Sequence, residues 1–336
     1  MTFRKSLTTL IQAKPFAVFS ADSSANSLSE LSLRLLEEQQ GSWQQLAGGY
    51  ASLDLVRLRE VRCEGYVAYL QFNPGRIVST GANVDEQSLR ERPCFLCVQN
   101  LPPPQKGVLY RGEFLVLCNP APIFPQHFTI SSVQHLPQAL EPFVPLFLDL
   151  ARDLSPKLAV FYNGPRCGAS APDHMHFQAS PFGLIPVERD ALEEARRVFR
   201  KKLGSVALST MKEYGRTTLI IESPDKESLA DLFIALVGQL RKVKGSAEEP
   251  MMNVLCSYGR SGWRIILFPR RKHRPDVYFK AGEERVLISP AAVDLGGLII
   301  TPLKRDFERV GSRMIEEIFR EVSLLTEELE KAVDAL

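Results

Sequence analysis

Two histidines stand one residue apart in GASAPDHMHFQAS (168–180), and a glutamine follows two residues after the second. If this stretch is a strand, side chains alternate faces, so His174, His176 and Gln178 project one way while Met175 and Phe177 project the other. The apolar pair would enter a core and the polar three would face a pocket. A neutral imidazole, with an ordinary pKa of about 6.5, keeps a nitrogen lone pair at neutral pH and can attack phosphorus or bind a metal. Just upstream, NGPRCGAS (163–170) is a turn-rich loop whose small residues would let backbone amides and Ser170 approach a phosphate closely. The same histidines could also be two ordinary strand residues, so the rest of the chain has to decide.

RPCFLC (92–97) brings Cys94 and Cys97 together at a spacing that commonly supplies half of a tetrahedral zinc site. Two of the five histidines, His127, His135, His174, His176 and His273, would close it. A redox dithiol would instead open a helix after a strand, and Pro102-Pro103-Pro104 soon afterward disfavours that helix. Two buried cysteines are the remaining alternative. Six cysteines in 336 residues make no dense disulfide framework, which fits a reducing, cytoplasmic location.

The elements that must position these residues come in runs. SLSELSLRLLEEQQ (27–40) opens with a Ser-x-x-Glu capping box and continues as an amphipathic helix. VAYLQF, FLVLC, HFTIS and LAVFYN read as strands broken by Asn, Pro and Gly, and NVLCSY with WRIILFP reads as a hairpin turning at Gly259 to Gly262. DALEEARRVFRKKL (190–203), SLADLFIALVGQLRKV (228–243) and the tail from Ser312 to Leu336 read as helices, and KGSAEEP (244–250) reads as a linker. Strands without regular alternation with helices predict an α+β fold with a mainly antiparallel sheet. The length predicts two domains or one duplicated domain. A net charge of +2 gives no field for nucleic acid or an anionic membrane, and no segment approaches the roughly 20 apolar residues of a span. The opening MTFRKSLTTLIQAKPFAVFS is interrupted by Gln12, Lys14 and Pro15 before it reaches signal-peptide length.

RPCFLC, IFPQHFTISSVQH (123–135) and GASAPDHMHFQ together resemble the transferase branch of the histidine-triad superfamily, the galactose-1-phosphate uridylyltransferases and nucleotide phosphorylases. Hydrolases of that superfamily typically run His-x-His-x-His, whereas its transferases place glutamine third, as Gln178 stands here. The resemblance implies that His176 is the nucleophile and that Gln178 hydrogen-bonds the transferred phosphate. It also implies that Ser170 and Asn163 contact the substrate, and that Cys94, Cys97, His135 and His174 hold a structural zinc, with His127 the second choice for the third ligand. FNPGRIVSTGA (72–82) resembles the family's asparagine-proline turn and following strand, which makes Asn73 and Arg76 candidates for phosphate or ribose; a plain hairpin turn would look the same. Where the family runs Pro-His-x-His, Asp173 separates Pro172 from His174, a departure that bears on how Ser170 sits against His176.

The implied fold is histidine-triad-like in two related halves: residues 1–186 carry both motifs, and residues 187–336 lack the catalytic one. The implied activity is nucleotidyl transfer from a nucleoside diphosphate sugar or dinucleoside polyphosphate to phosphate or a sugar phosphate, through a covalent nucleotidyl-histidine, in a chain open to homodimerisation. Hydrolysis and a zinc-stabilised nucleotide-binding module without turnover are the alternatives. Arg270, Arg271, Lys272 and Arg274 form a basic run that is either a solvated face or a contact for the second substrate's phosphate.

Overall fold

The structure, a computed structural model, describes residues 15–20, 26–81 and 85–336. The first fourteen residues, read above against a signal peptide, lie outside the described residues, as does Ala82 at the end of the asparagine-proline stretch. The capping box forms as predicted: helix α1 (Leu28–Ser42) begins where Ser27 Oγ accepts from Glu30 N–H and the Glu30 carboxylate accepts from Ser27 N–H.

Strands β1 (Pro15–Phe19), β2 (Arg57–Arg62) and β3 (Val67–Phe72) precede a three-strand meander, β4 (Gly107–Tyr110), β5 (Phe114–Cys118) and β6 (Phe128–Ser132). Helix α2 (Val144–Leu154) then leads to β7 (Leu158–Asn163) and β8 (His176–Pro181). The second half repeats this plan with β9 (Arg197–Leu203), β10 (Val206–Met211) and β11 (Leu219–Ser223), helix α3 (Lys226–Lys244), and the hairpin β12 (Met252–Gly259) and β13 (Gly262–Pro269). After β14 (Leu298–Thr301) the chain ends in α4 (Ser312–Val322) and α5 (Thr326–Asp334).

Each half is antiparallel, and the spatial orders β4-β5-β6-β8-β7 and β9-β10-β11-β13-β12 are the same pattern. The halves join where β7 pairs antiparallel with β12, Asn163 opposite Asn253, to make one 11-stranded sheet with β1 added parallel to β4. Equivalent strands meeting across an antiparallel seam are the internal form of a two-fold contact. The fold is therefore α+β, mainly antiparallel, with two related halves.

Helices α1, α2, α3 and α5 cover one face of this sheet, burying Phe147, Phe177, Phe233 and Leu329 among others. Each such side chain contributes about 1.5–3 kcal/mol by leaving water. On the opposite face the halves differ. In the second half Ile220, Leu255, Ile266 and Phe268 are sealed into a second core with the small sheet β14-β3-β2 and α4. In the first half the matching face stays open over β8, and the cavity lies there. Among the described residues no helix is long and apolar enough to cross a membrane.

Four expectations are corrected, three from local pattern and one from the family resemblance. Residues 190–203, expected to be one helix, instead pass through a short 3-10 turn (Glu194–Arg196) into β9, because a two-residue turn at Gly204 (φ 57°) and Ser205 lets Leu203 pair with Val206. Its arginines and lysines sit on a sheet edge, where charge discourages further pairing. The C-terminal helix is split into two, since Ser323 bridges to Arg270 and Leu324 N–H donates to Pro269 O, which pulls the backbone into an extended turn. Residues 77–80 form a helical turn, where the family resemblance implied a strand. The linker-like 244–250 is also fastened down, with Glu249 accepting from Tyr162 O–H and Leu140 N–H.

Candidate functional site

The strand containing the opening motif starts at His176, two residues later than the expected start at 174, and a side chain explains the difference. Strands β7 and β8 pair from Leu158–Pro181 to Phe161–Gln178, and the same register carried two residues further would set Asn163 opposite His176. There the amide of Gln138 intervenes. Its Oε1 accepts from His176 N–H (2.8 Å), while its Nε2 donates to His176 O (2.9 Å) and to Asn163 O (3.0 Å). The inserted amide satisfies backbone groups that a splayed ladder would leave unpaired, and it opens the sheet beside His176. No feature of the sequence around Gln138 singles it out.

Met175 and Phe177 enter the helix-side core, and His176 and Gln178 line a cavity of about 500 Å³ on the other face, as the alternation predicts. His176 Nδ1 lies 2.8 Å from His174 O, so it carries the proton and Nε2 carries the lone pair. Burial holds this imidazole down at about 4, so it is neutral at pH 7. Gln178 is oriented by His127. Ile123 N–H donates to His127 Nδ1 (3.1 Å), which leaves the proton on Nε2 to donate to Gln178 Oε1 (2.8 Å). The amide nitrogen of Gln178 must then face away from His127. Burial, with Arg76 nearby, lowers the His127 pKa to about 3 and keeps it a neutral donor.

Cys94, Cys97, His135 and His174 form one cluster whose ligand atoms all lie within 4.8 Å of one another. Separations of 3.3 Å (Cys94 Sγ to His174 Nδ1), 3.2 Å (Cys97 Sγ to His135 Nδ1), 3.6 Å (Cys97 Sγ to His174 Nδ1) and 3.2 Å (His135 Nδ1 to His174 Nδ1) span it. A tetrahedron around a cation bound at about 2.0–2.3 Å has edges of about 3.3–3.8 Å, so the set fits a metal ion. His174 Nε2 donates to Ser132 O (2.8 Å), so the Nδ1 lone pair points into the cluster. Burial and the neighbouring Cys94 push the Cys97 thiol up to about 12, so a thiolate there needs a cation beside it. His135, and not His127, is the histidine placed with the cysteines. All six cysteines are free.

Of the other candidates, Ser170, Asn163 and Arg76 line the same cavity as His176, so the extra Asp173 does not separate the loop from the histidine. Arg92 holds the loop, donating to Ser170 O (2.9 Å) and lying 3.5 Å from Asp173. Asn163 Oδ1 accepts from Asn253 Nδ2 and from Ala292 N–H, both at 2.8 Å, which leaves its amide nitrogen as the group able to serve a ligand. Arg76 donates through Nη1 to Ala121 O (2.7 Å), while its Nε is buried with no partner. Asn73 lies away from the cavity lining and spends its amide hydrogens on Gln71 Oε1 and Pro122 O. Gly168 (φ 93°) is required where it stands, because a Cβ would sit 2.6 Å from Ala291 Cβ in the second half.

The second half contributes to the site in a way its basic run did not reveal. Arg270 is 1% exposed and spends all five N–H groups on oxygens: Val322 O, Asn253 Oδ1, Pro290 O, Lys272 O and His273 O. Arg271 binds carbonyls of α4, and Lys272 pairs with Asp276 and Glu321. Only His273 and Arg274 of the run face the cavity, joined there by Ser289 and Asp294.

Solved structures share this architecture. Yeast Ap4A phosphorylase Apa2 in complex with AMP is 17% identical, with 86% of this chain and 96% of that chain covered and a TM-score of 0.54. The same enzyme in complex with Ap4A is 15% identical, covering 84% and 96%, with a TM-score of 0.53. No curated protein matches the sequence. These likenesses show that the chain has the fold of that phosphorylase. Residues 186–335 match the family described as "GDPGP1-like, C-terminal domain", and residues 35–181 match a "Domain of unknown function (DUF4922)".

Proposed function

We propose that this chain is a nucleotidyltransferase or phosphorylase, in which His176 takes a nucleoside monophosphate from a nucleoside diphosphate sugar or dinucleoside polyphosphate and passes it to inorganic phosphate or a sugar phosphate. The observation that carries this reading is the paired orientation of His176 and Gln178, one with its proton committed to His174 O and the other with its amide oxygen committed to His127. The Nε2 lone pair of His176 attacks the α-phosphorus, forming an N–P bond as the bond to the bridging oxygen breaks. That oxygen leaves with the electron pair as a phosphate. The proton stays on Nδ1, so the adduct is a phosphorylated imidazolium, activated for discharge by an acceptor oxygen. Gln178 N–H and the loop around Ser170 are suited to the non-bridging oxygens, and a fixed donor replaces a chance encounter.

Two thiolates and two imidazoles suit zinc, and a full set of protein ligands supplies no open position, so a bound ion acts as a cross-link. That cross-link fixes His174, whose carbonyl sets the tautomer of the proposed nucleophile. Asn163 and Arg76 are proposed to contact the substrate phosphates from the cavity wall. Asn73 is proposed to act by bracing the 122–123 backbone rather than by touching a ligand.

Intact-protein mass spectrometry after incubation with nucleoside diphosphate sugars and dinucleoside polyphosphates, without acceptor, tests the reading. A nucleotidyl adduct that is absent from His176→Ala is expected. An adduct that survives that substitution, or none with any donor despite measurable nucleotide binding, overturns it.

A further inference from the structure

Asn163 ends β7 and lines the cavity with His176, yet both donors to its Oδ1, the Asn253 amide and the Ala292 N–H, belong to the second half of the chain. Gln138 ties the main chains of Asn163 and His176 together by donating to both carbonyls. Which end of the Asn163 amide meets a ligand beside His176 is therefore decided across the seam.

Hydrogen-bond direction carries the choice. A guanidinium donates and never accepts. Arg270 is buried, and its Nη1 lies 2.6 Å from Asn253, which must present Oδ1 to it. The Asn253 nitrogen then faces the other way, with one hydrogen on Asn163 Oδ1 (2.8 Å) and the other on Cys167 O (2.7 Å). Asn253 is itself fully buried, so water offers its amide no alternative partner. Ala292 N–H (2.8 Å) fills the second lone pair of Asn163 Oδ1. What is left of the Asn163 amide is a pair of N–H groups.

We propose that Asn253 is a positioning residue: relaying the donor-only character of Arg270, it turns the Asn163 amide so that N–H, and not C=O, meets the phosphate of the nucleotide. The inference rests on the reading above in which Asn163 contacts that phosphate. Two observations support it. The same polarity recurs at Gln178, the other amide set beside His176, where His127 takes the oxygen and leaves the nitrogen. The Asn253 nitrogen also holds Cys167 O in the loop between Asn163 and Ser170, so one side chain of the second half sets both the amide and the loop. An anion needs donors here, because an amide turned over would lose a hydrogen bond and aim a partial negative charge at the phosphate.

Changing one atom of the relay should reverse it. Asn253→Asp keeps the shape of the side chain and an acceptor for Arg270, but it has no N–H for Asn163. Its carboxylate attracts Asn163 Nδ2 in a charge-assisted bond, which outweighs the neutral bond from Ala292 and swings the Asn163 oxygen into the cavity. Asn253→Ala removes the relay and leaves Ala292 N–H to hold Asn163 in its present direction.

The four common nucleoside 5′-monophosphates are titrated into the full-length chain by isothermal titration calorimetry, with thermal unfolding run in parallel. The one that binds most tightly is then titrated into Asn253→Asp, Asn253→Ala, Asn163→Ala and the double variant Asn163→Ala/Asn253→Asp. Stability and binding should rank in opposite orders. Asn253→Asp, which keeps its bond to Arg270, should melt above Asn253→Ala and yet bind about 10–100-fold more weakly than wild type, while Asn253→Ala stays within about 3-fold. A residue that only supported the fold would lose stability and binding together. In the chain already carrying Asn163→Ala, adding Asn253→Asp should weaken binding by no more than about 2-fold, because the amide it turns is gone. That comparison separates the turned amide from the added charge, which acts whether or not Asn163 is present. Unchanged binding in Asn253→Asp, or the same loss with and without Asn163, overturns the positioning role and leaves the proposed function standing. Binding by Asn163→Ala as tight as wild type removes the phosphate contact and this proposal with it. Failure of the wild type to bind any of the four removes the nucleotide reading and this proposal together.

Discussion

His127 makes a prediction that does not depend on knowing the substrate. It is fully buried and neutral, with Nδ1 accepting from Ile123 and Nε2 donating to Gln178, and its pKa is depressed to about 3. In the unfolded chain the ordinary value is about 6.5, so between these two pH values the unfolded state binds the extra proton. Stability therefore falls as pH falls through this window. The slope approaches about 1.4 kcal/mol per pH unit, and the loss from this one residue between pH 7 and pH 4.5 comes to about 2.5 kcal/mol. Burial pushes the Glu188 and Asp294 carboxyls up to about 8 and about 6, and these act in the opposite sense, so the total slope of the protein does not isolate His127. A comparison does. His127→Gln can keep a donor near Gln178 and cannot titrate. Urea unfolding followed by tryptophan fluorescence at pH 7, 5.5 and 4.5 should show the wild type losing about 2.5 kcal/mol more than the variant. Parallel losses in the two proteins would mean that His127 is not held neutral in the fold, and the orientation argued for Gln178 would go with it.

Three further outcomes are expected. The chain purified from zinc-supplemented medium should carry one metal ion per chain by elemental analysis, Cys97→Ser should carry little, and a strong chelator should lower the Tm of the first but not of the second. Gln138→Met removes three hydrogen bonds at the Asn163–His176 gap, so it should cost about 2–4 kcal/mol in urea unfolding and slow adduct formation; an unchanged adduct rate would deny Gln138 its positioning role. Arg270→Lys should cost about 3 kcal/mol or more despite its kept charge, because one ammonium cannot replace five directed donors to five residues; a urea midpoint within error of the wild type would contradict this.

The features legible in the sequence were those written in local chemistry. Ser27 and Glu30 marked the start of α1, Gly259 to Gly262 marked the β12–β13 turn, and the alternation at His174–Gln178 separated core from cavity. The Cys94, Cys97, His135 and His174 cluster assembled as the family resemblance implied. What escaped depends on partners far along the chain. β9 looked helical because its charges have helical spacing, and only its pairing with β10 makes it a strand. Gln138 acts on backbone groups of residues 163 and 176, which no local pattern foretells. His127 is the second choice for the third ligand by the family resemblance, yet its two nitrogens are taken up by a backbone amide and a glutamine. Arg270 reads as one more exposed cation in a basic run, and its burial is visible only once the seam has formed.

The pairing of β3 with β14 has a consequence for how the protein is made. Tyr69, near the start of the chain, finds its partner in Leu298, and Asn163 finds Asn253. During synthesis the first half emerges with the β7 edge unpaired until β12 is released and the β3 edge bare until β14 is released. Such non-local ladders close late and leave open edges for other chains to join, so nascent first halves depend on chaperone cover or fast completion. A stop codon between residues 190 and 290 should therefore yield aggregate rather than a smaller folded protein.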